Sequence, residues 1–122
     1  MSEQSFAWPN GARAGFSLTF DDGKFSQVDL GLPILNRHAC KATFFVRGDH
    51  GRVPERLEGW KAAIAQGHEI GNHLVNHPCS GNFAWIGPKG RALENYTLDQ
   101  IEEEIVSSNA TINSLLGVTP VS

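Results

Sequence analysis

The stretch GFSLTFDDGK, residues 15–24, joins an alternating apolar segment to two adjacent acids and a glycine. Apolar side chains recur at every second position from Phe16 to Phe20, which predicts a half-buried β-strand. The acids that follow, Asp21 and Asp22, have two interpretations. Asp-Asp-Gly is ordinary turn chemistry, because Asp tolerates turn conformations and Gly supplies positive φ. A functional carboxylate pair is the alternative, and it needs support from elsewhere in the chain.

Composition limits the classes of function. The 122 residues include 10 Lys plus Arg and 13 Asp plus Glu, a net charge of −3 without long charged runs. This predicts one domain, 1–122, with one modest core, and gives no indication of nucleic-acid binding. No apolar segment approaches the ~20 residues that cross a bilayer, so we expect no membrane insertion. The start lacks a signal sequence, which predicts a cytoplasmic protein; removal of a signal sequence would make it extracellular or periplasmic instead. Cys40 and Cys79 are expected to be free thiols.

Further segments repeat the order of strand and helix. Apolar residues at 42–46 and the segment 68–72 predict a second and a third strand. Between the strands, a first helix is expected to have Ser26 as N-cap and to be short or irregular, because a Gly and a Pro lie inside it. A second helix is expected to end at Gly67. Strands that alternate with helices indicate a parallel sheet with crossover helices.

A long loop rich in turn residues, 77–96, separates the third strand from the last helix. Thr97 and Gln100 form a capping-box pattern at the start of this helix, and Gly117 is expected to end it. Five apolar residues predict its inward stripe: Leu98, Ile101, Ile105, Ile112 and Leu116. The final residues, VTPVS, look like the beginning of a fourth strand.

Two histidines follow the third strand. His73 and His77 lie four residues apart, a spacing that can bring both rings to one metal. A surface pair without a ligand is the alternative. Because the carboxyl ends of parallel strands open on one side of a sheet, we expect both histidines to converge with Asp21 and Asp22. Two histidines and one carboxylate are a common catalytic zinc set, and the second carboxylate would be free to accept a proton from water.

The motifs SLTFDDG and GHEIGNHLVNHP together resemble those of the polysaccharide deacetylases of the NodB type, carbohydrate esterase family 4. The segments LPILNRHACKATFFVRG and TLDQIEEEI fit the same family, and the resemblance runs from about Trp8 to Gly117. It implies an α/β fold: a partial (β/α) barrel related to the TIM barrel, truncated after about three to four β/α units. It also implies metal-dependent hydrolysis of the amide bond that joins acetyl groups to N-acetylated sugars or acetylated polysaccharide.

The resemblance also implies roles for the converging residues. Asp21 matches the catalytic base, and Asp22, His73 and His77 match the ligands of one divalent metal, zinc, with cobalt or nickel as alternatives. The implied partner is an acetylated saccharide.

Two aromatic residues in the long loop are candidates for contact with that saccharide. Phe83 and Trp85 could stack against a sugar ring, or they could cover an apolar edge of the protein.

The sequence departs from the family pattern in two places. Leu74 stands where the family has Ser or Thr after the first histidine, which predicts a looser loop. The sequence ends at Ser122, close to where the family's motifs with a base-orienting arginine and a general-acid histidine follow. This leaves open a catalytically incomplete metal- or saccharide-binding remnant. A cyclic-amide hydrolase of the same fold is a further alternative, against which the metal triad argues.

The number of β/α units also leads to a prediction about assembly. If Ser122 is the true end, we expect a homo-oligomer whose open sheets cover each other. Phe20 and Phe44 are expected on the apolar face that would otherwise be exposed.

Overall fold

The structure is a computed structural model that describes residues 7–49 and 52–122. Three strands form one parallel sheet in the order β1-β2-β3: β1 Thr19–Asp21, β2 Thr43–Val46 and β3 Glu69–Asn72. The α-helices are α1 Leu32–Arg37, α2 Leu57–Ala65 and α3 Leu98–Leu116. Short 3₁₀ turns lie at Pro9–Gly11, Pro54–Arg56, Gly87–Lys89 and Leu93–Asn95. The predicted alternation of strands and crossover helices is therefore confirmed, and the regular structure of the long loop consists of short turns and an isolated bridge between Cys79 and Ala92.

The first strand begins later than the sequence predicts. Pairing of β1 with β2 starts at Thr19 and Thr43, and among the described residues, 7–17 have no neighbouring strand to bond with. Phe16 is accordingly 89% exposed, and its predicted place in the strand is wrong.

The first helical segment is irregular, as expected. A π-helical stretch, Gln27–Gly31, runs directly into α1. Pro33 has no N–H to continue a regular hydrogen-bonding ladder, which accounts for the change of helix type. The helical segment starts near Ser26, as predicted, but Ser26 itself has helical dihedral angles and makes no capping hydrogen bond, so its predicted role as the N-cap is wrong.

The helices cover one face of the sheet. The strand register places Phe20, Phe44 and Ile70 side by side on this face. Phe44 is fully buried, with its ring centroid 5.1 Å from that of Phe20 and 5.5 Å from that of Trp60. The expectation that Phe44 lies on an open face is therefore wrong, because the helices pack on that side.

The opposite face of the sheet is more polar than expected. It carries Thr19, Thr43 and Glu69 in one row, and the Thr43 hydroxyl donates to the Glu69 carboxylate at 2.7 Å. Association between copies of the chain stays a prediction.

Helix α3 has the predicted ends but a different buried face. Thr97 and Gln100 form the capping box, and Gly117 ends the helix at φ 73°. Leu98 is 88% exposed and Ile105 is 43% exposed, so both were wrongly assigned to the inward stripe. The buried face instead follows a four-residue spacing: Glu104, Ser108, Ile112 and Leu116. Its polar half contacts the strand ends and the loop after β3 rather than the apolar core.

The remaining structural predictions concern the chain end and the thiols. Residues 118–122 form no assigned strand, although the Asn72 N–H donates to the Ser122 carbonyl at 2.8 Å. Cys40 and Cys79 are free, as predicted. Within residues 7–49 and 52–122, no helix combines the length and apolar character that a membrane span requires.

Candidate metal and catalytic site

The acid pair lies where β1 turns away from the sheet. Asp21 is the last residue of β1, and both Asp22 (φ 73°) and Gly23 (φ 61°) adopt the left-handed conformation. Asp tolerates this region better than most residues, and Gly adopts it freely. Asp-Asp-Gly is thus a turn, and the same turn brings Asp22 to the two histidines. The two interpretations of the pair are compatible.

Three of the predicted site residues come together. Asp22 Oδ1 lies 3.5 Å from His73 Nε2 and 4.0 Å from His77 Nε2, and the potential ligand atoms of all three residues lie within 4.8 Å of one another. Ligand atoms bound tetrahedrally at ~2.0–2.1 Å from zinc are themselves roughly 3.3 Å apart, so small side-chain movements suffice. His73 Nε2 is also buried without a hydrogen-bond partner within the described part of the chain. The donor set therefore fits a divalent metal, and its role as a ligand set stays a prediction.

The local charges favour the protonation states that bind metal. The hydrogen bond from Lys24, 3.0 Å from the Asp22 carboxylate, lowers the pKa of Asp22. Burial lowers the pKa of His73, with a further contribution from His77, against the opposing effect of Asp21 and Asp22. An ionised carboxylate and a neutral imidazole are the forms that coordinate a metal.

We call residues 72–77 the histidine loop. Leu74 (φ 59°) and His77 (φ 55°) both adopt the left-handed conformation in it, which costs free energy for side chains other than Gly and must be stabilised by surrounding contacts. The sequence predicts a looser loop at Leu74, since no hydroxyl is available there.

Glu104 of α3 provides the stabilising contacts. One oxygen of its buried carboxylate accepts hydrogen bonds from the N–H groups of Val75 (2.9 Å) and Asn76 (2.7 Å). The other accepts from the Asn76 side-chain amide at 2.5 Å. No motif in the sequence pointed to Glu104 as a site residue. Its four-residue spacing from Ser108, Ile112 and Leu116 was the available signal.

Strand β2 and the residues after it hold the other side of the histidine loop. The His73 N–H donates to the Val46 carbonyl at 3.0 Å, and the Gly48 N–H donates to the Leu74 carbonyl at 2.9 Å. The Arg47 guanidinium donates to the Val75 carbonyl at 3.0 Å. The loop is thus fixed on both sides, which positions both imidazoles before any metal binds.

Asp21 is less constrained than the three clustered residues. Its backbone carbonyl accepts a hydrogen bond from the Gln27 side chain at 2.6 Å. Its carboxylate is exposed and accepts no hydrogen bond from the residues that the structure describes. It lies close enough to His73 to oppose the lowering of the pKa of that histidine. Its role as a base stays a prediction.

An open cleft of about 830 Å³ adjoins the site. Asp22, His77 and Trp85 line it, and the ring centroid of Trp85 lies 6.5 Å from that of His77. Phe83 stacks on Trp85 at 6.0 Å. Both aromatic residues are about half exposed, so surface for a ligand is available, and their contact with a saccharide stays a prediction.

Comparison with known proteins identifies the family. The sequence matches the family described as polysaccharide deacetylase over residues 5–122, and the chain belongs to that family. It is 38% identical over 106 residues to a chitin deacetylase from Pestalotiopsis sp, covering 86% of this chain and 31% of that protein. It is 36% identical over 89 residues to the uncharacterized protein YlxY of Bacillus subtilis, covering 73% of this chain and 23% of that protein. The chain thus spans less than a third of either relative.

Solved structures of similar proteins agree with the fold. A structure of T48 deacetylase with substrate has a TM-score of 0.65 and 29% identity, covering 85% of this chain and 45% of that one. A family 4 acetyl xylan esterase from Clostridium thermocellum, in complex with a cobalt ion, has a TM-score of 0.62 and 32% identity, with 85% and 44% covered. A family pseudoenzyme mutant with restored enzymatic activity also matches, at a TM-score of 0.62 and 27% identity, with 85% and 33% covered. The predicted partial barrel of the NodB type is confirmed.

Proposed function

We propose that this chain contains the metal-binding part of an active site that removes acetyl groups from N-acetylated saccharides by hydrolysis of the amide bond. The observation that carries the proposal is the convergence of Asp22, His73 and His77 at the edge of an open cleft. The similar proteins support it: they include chitin deacetylases and a peptidoglycan-N-acetylglucosamine deacetylase from Listeria monocytogenes. These names describe whole proteins, and this chain covers only 31% of the length of the chitin deacetylase from Pestalotiopsis sp.

Zinc is the metal that we propose for the site. Two imidazole nitrogens and one carboxylate oxygen are a typical catalytic zinc set, which keeps a coordination position open. Cobalt is the alternative that the esterase from Clostridium thermocellum supports, since its structure is described as a complex with cobalt.

In the proposed reaction, the metal, Asp21 and Trp85 have different roles. When bound, the metal would act as a Lewis acid that polarises the acetyl carbonyl and lowers the pKa of a coordinated water to about 7. The Asp21 carboxylate would accept the proton of the attacking water, because it lies beside the triad and is exposed to solvent. Trp85 would offer a flat apolar surface to a sugar ring.

Metal binding is tested most directly on protein purified without a histidine tag. We expect about one zinc per chain by elemental analysis, and loss of that zinc in His77→Ala. His38→Ala is the matched control, since His38 is exposed and lies outside the cluster. Absence of zinc from the wild type, or equal zinc in both variants, would refute the site.

A catalytically incomplete binding protein is the second candidate, and the Asp21 carboxylate favours it. In the described residues this carboxylate has no donor to orient it as a general base, and the contribution of a positioned general base is typically ~10²–10⁴ in rate. We therefore expect little acetate release from acetylated glucosamine oligomers by this chain alone. Rapid release that disappears in Asp21→Asn would exclude the incomplete candidate.

A further inference from the structure

The cleft beside the candidate metal site differs in charge from the rest of the chain. Five of the ten Lys and Arg residues line it, against three of the thirteen Asp and Glu residues. The whole chain carries a net charge of −3, so the positive side chains are concentrated locally. A cleft whose lining has a net positive charge attracts anionic ligands.

Ion pairs account for only part of this positive charge. Asp22 pairs with Lys24, and Asp49 pairs with Arg47. The third acid, Glu55, pairs with none of the other cations within residues 7–49 and 52–122. Three cationic side chains of the cleft therefore remain without a carboxylate partner in that part of the chain: Arg52, Lys89 and Arg91.

Other contacts hold these three side chains without neutralising them. Lys89 Nζ lies 5.3 Å from the ring centroid of Trp85, and the Arg52 guanidinium lies 5.8 Å from that of Phe25. Arg91 donates to the Asn76 carbonyl at 3.0 Å. Aromatic rings and carbonyl groups have no formal negative charge, so these contacts leave the positive charges of the three side chains unneutralised.

We propose that the cleft binds an acetylated saccharide that also carries an anionic group, a carboxylate or a phosphate. This inference rests on the proposed function and adds the charge of its substrate. Lys89 Nζ lies 5.3 Å from the centroid of the Trp85 ring, so a sugar that contacts this ring would bring an anionic substituent, on that sugar or the next one, near a cation. A neutral glycan could accept hydrogen bonds from these three cations but would gain no charge–charge attraction.

The first experiment compares ligands that differ in charge. In buffer with zinc, we would measure dissociation constants by calorimetry for neutral di-N-acetylchitobiose and for the disaccharide of N-acetylglucosamine and N-acetylmuramic acid. N-acetylglucosamine 6-phosphate, compared with N-acetylglucosamine, distinguishes a phosphate from a carboxylate. We expect the anionic member of at least one pair to bind about five-fold more tightly at low salt. Half-molar salt should abolish most of that difference.

The second experiment removes the cations. In Lys89→Gln and Arg52→Gln, we expect the affinity for the preferred anionic saccharide to fall about two- to five-fold, with the neutral saccharide unaffected. Arg37→Gln is the matched control, because Arg37 is an exposed cation on α1 and does not line the cleft. An equal loss in this control would overturn the proposal.

Two outcomes separate this inference from the function on which it rests. Equal affinities for the neutral and both anionic saccharides would refute the anionic substrate and leave the deacetylase proposal intact. No binding of any saccharide by zinc-loaded protein would refute both.

Discussion

Glu104 offers the sharpest test of how the chain builds its metal site. In Glu104→Ala, the histidine loop loses three hydrogen bonds, which join the carboxylate to Val75 and Asn76 at 2.9, 2.7 and 2.5 Å. Hydrogen bonds to a charged group contribute about 1.5–3 kcal/mol each, whereas the left-handed conformations at Leu74 and His77 cost of order 1–3 kcal/mol each. The free energy contributed by the three hydrogen bonds to Glu104 is therefore large enough that, without them, the histidine loop can leave its left-handed conformations.

The predicted effect is on metal affinity. Loss of groups that orient metal ligands typically lowers metal affinity by ~10–100-fold, and we expect this range for zinc in Glu104→Ala. Glu104→Gln should have a smaller effect. Its amide oxygen can still accept from both backbone N–H groups, and the Asn76 side chain can rotate to present its own oxygen to the new amide. Competition titration with a zinc chelator measures both affinities.

A control on the same helix separates the effect of the Glu104 contacts from the effect of removing a negative charge. Glu102 is exposed on α3, so Glu102→Ala changes the same charge without touching the loop. Urea denaturation of the metal-free proteins would show whether each variant is folded, and Glu104→Gln keeps the test available if the alanine variant unfolds. Zinc affinities of Glu104→Ala and Glu102→Ala that agree within two-fold would show that the hydrogen bonds to Glu104 have no effect on the site.

Two further predictions concern stability. Burial lowers the pKa of His68 in the folded state, with Lys41 contributing. Below the unfolded-state pKa of about 6.5, the unfolded chain therefore binds more protons at this histidine than the folded chain does. The free energy of unfolding should have its full value above that pH and decrease as the pH falls through the folded-state pKa. In urea titrations, the free energy of unfolding should decrease less between pH 7.5 and pH 5.5 for His68→Gln than for the wild type. An equal decrease in both proteins would contradict this. Gly48→Ala should cost about 1–3 kcal/mol, because its Cβ would lie 2.4 Å from Ser108 Cα; Gly87→Ala, whose Cβ meets nothing within 4 Å, is the control in the same denaturation assay.

Local signals in the sequence predicted the elements whose boundaries depend on their own residues. The capping box at Thr97 and the glycine stop at Gly117 are confirmed, because both depend on hydrogen bonds and dihedral angles within a few residues. The parallel sheet is also confirmed, and with it the approach of Asp22 to His73 and His77. Parallel topology alone brings strand ends together, so this convergence requires no knowledge of side-chain packing.

Tertiary packing decided what the sequence could not predict. The extent of β1 depends on where β2 offers backbone groups, and the pattern of Phe16 and its neighbours contains no information about that register. The buried face of α3 depends on what the helix contacts. Apolar periodicity favours Ile105, whereas the structure buries Glu104 and Ser108. The helix there packs on polar backbone, and a polar surface selects hydrogen-bonding side chains.

The left-handed residues of the histidine loop explain why a buried carboxylate is needed beside it. A loop with left-handed residues at Leu74 and His77 needs hydrogen bonds to its backbone. The N–H groups of Val75 and Asn76 donate to a carboxylate about thirty residues later in the chain. The cost of burying that carboxylate is offset because it accepts three hydrogen bonds there. The metal site therefore depends on α3 as much as on the motif that carries the histidines, and a residue that never contacts the metal is expected to set its affinity.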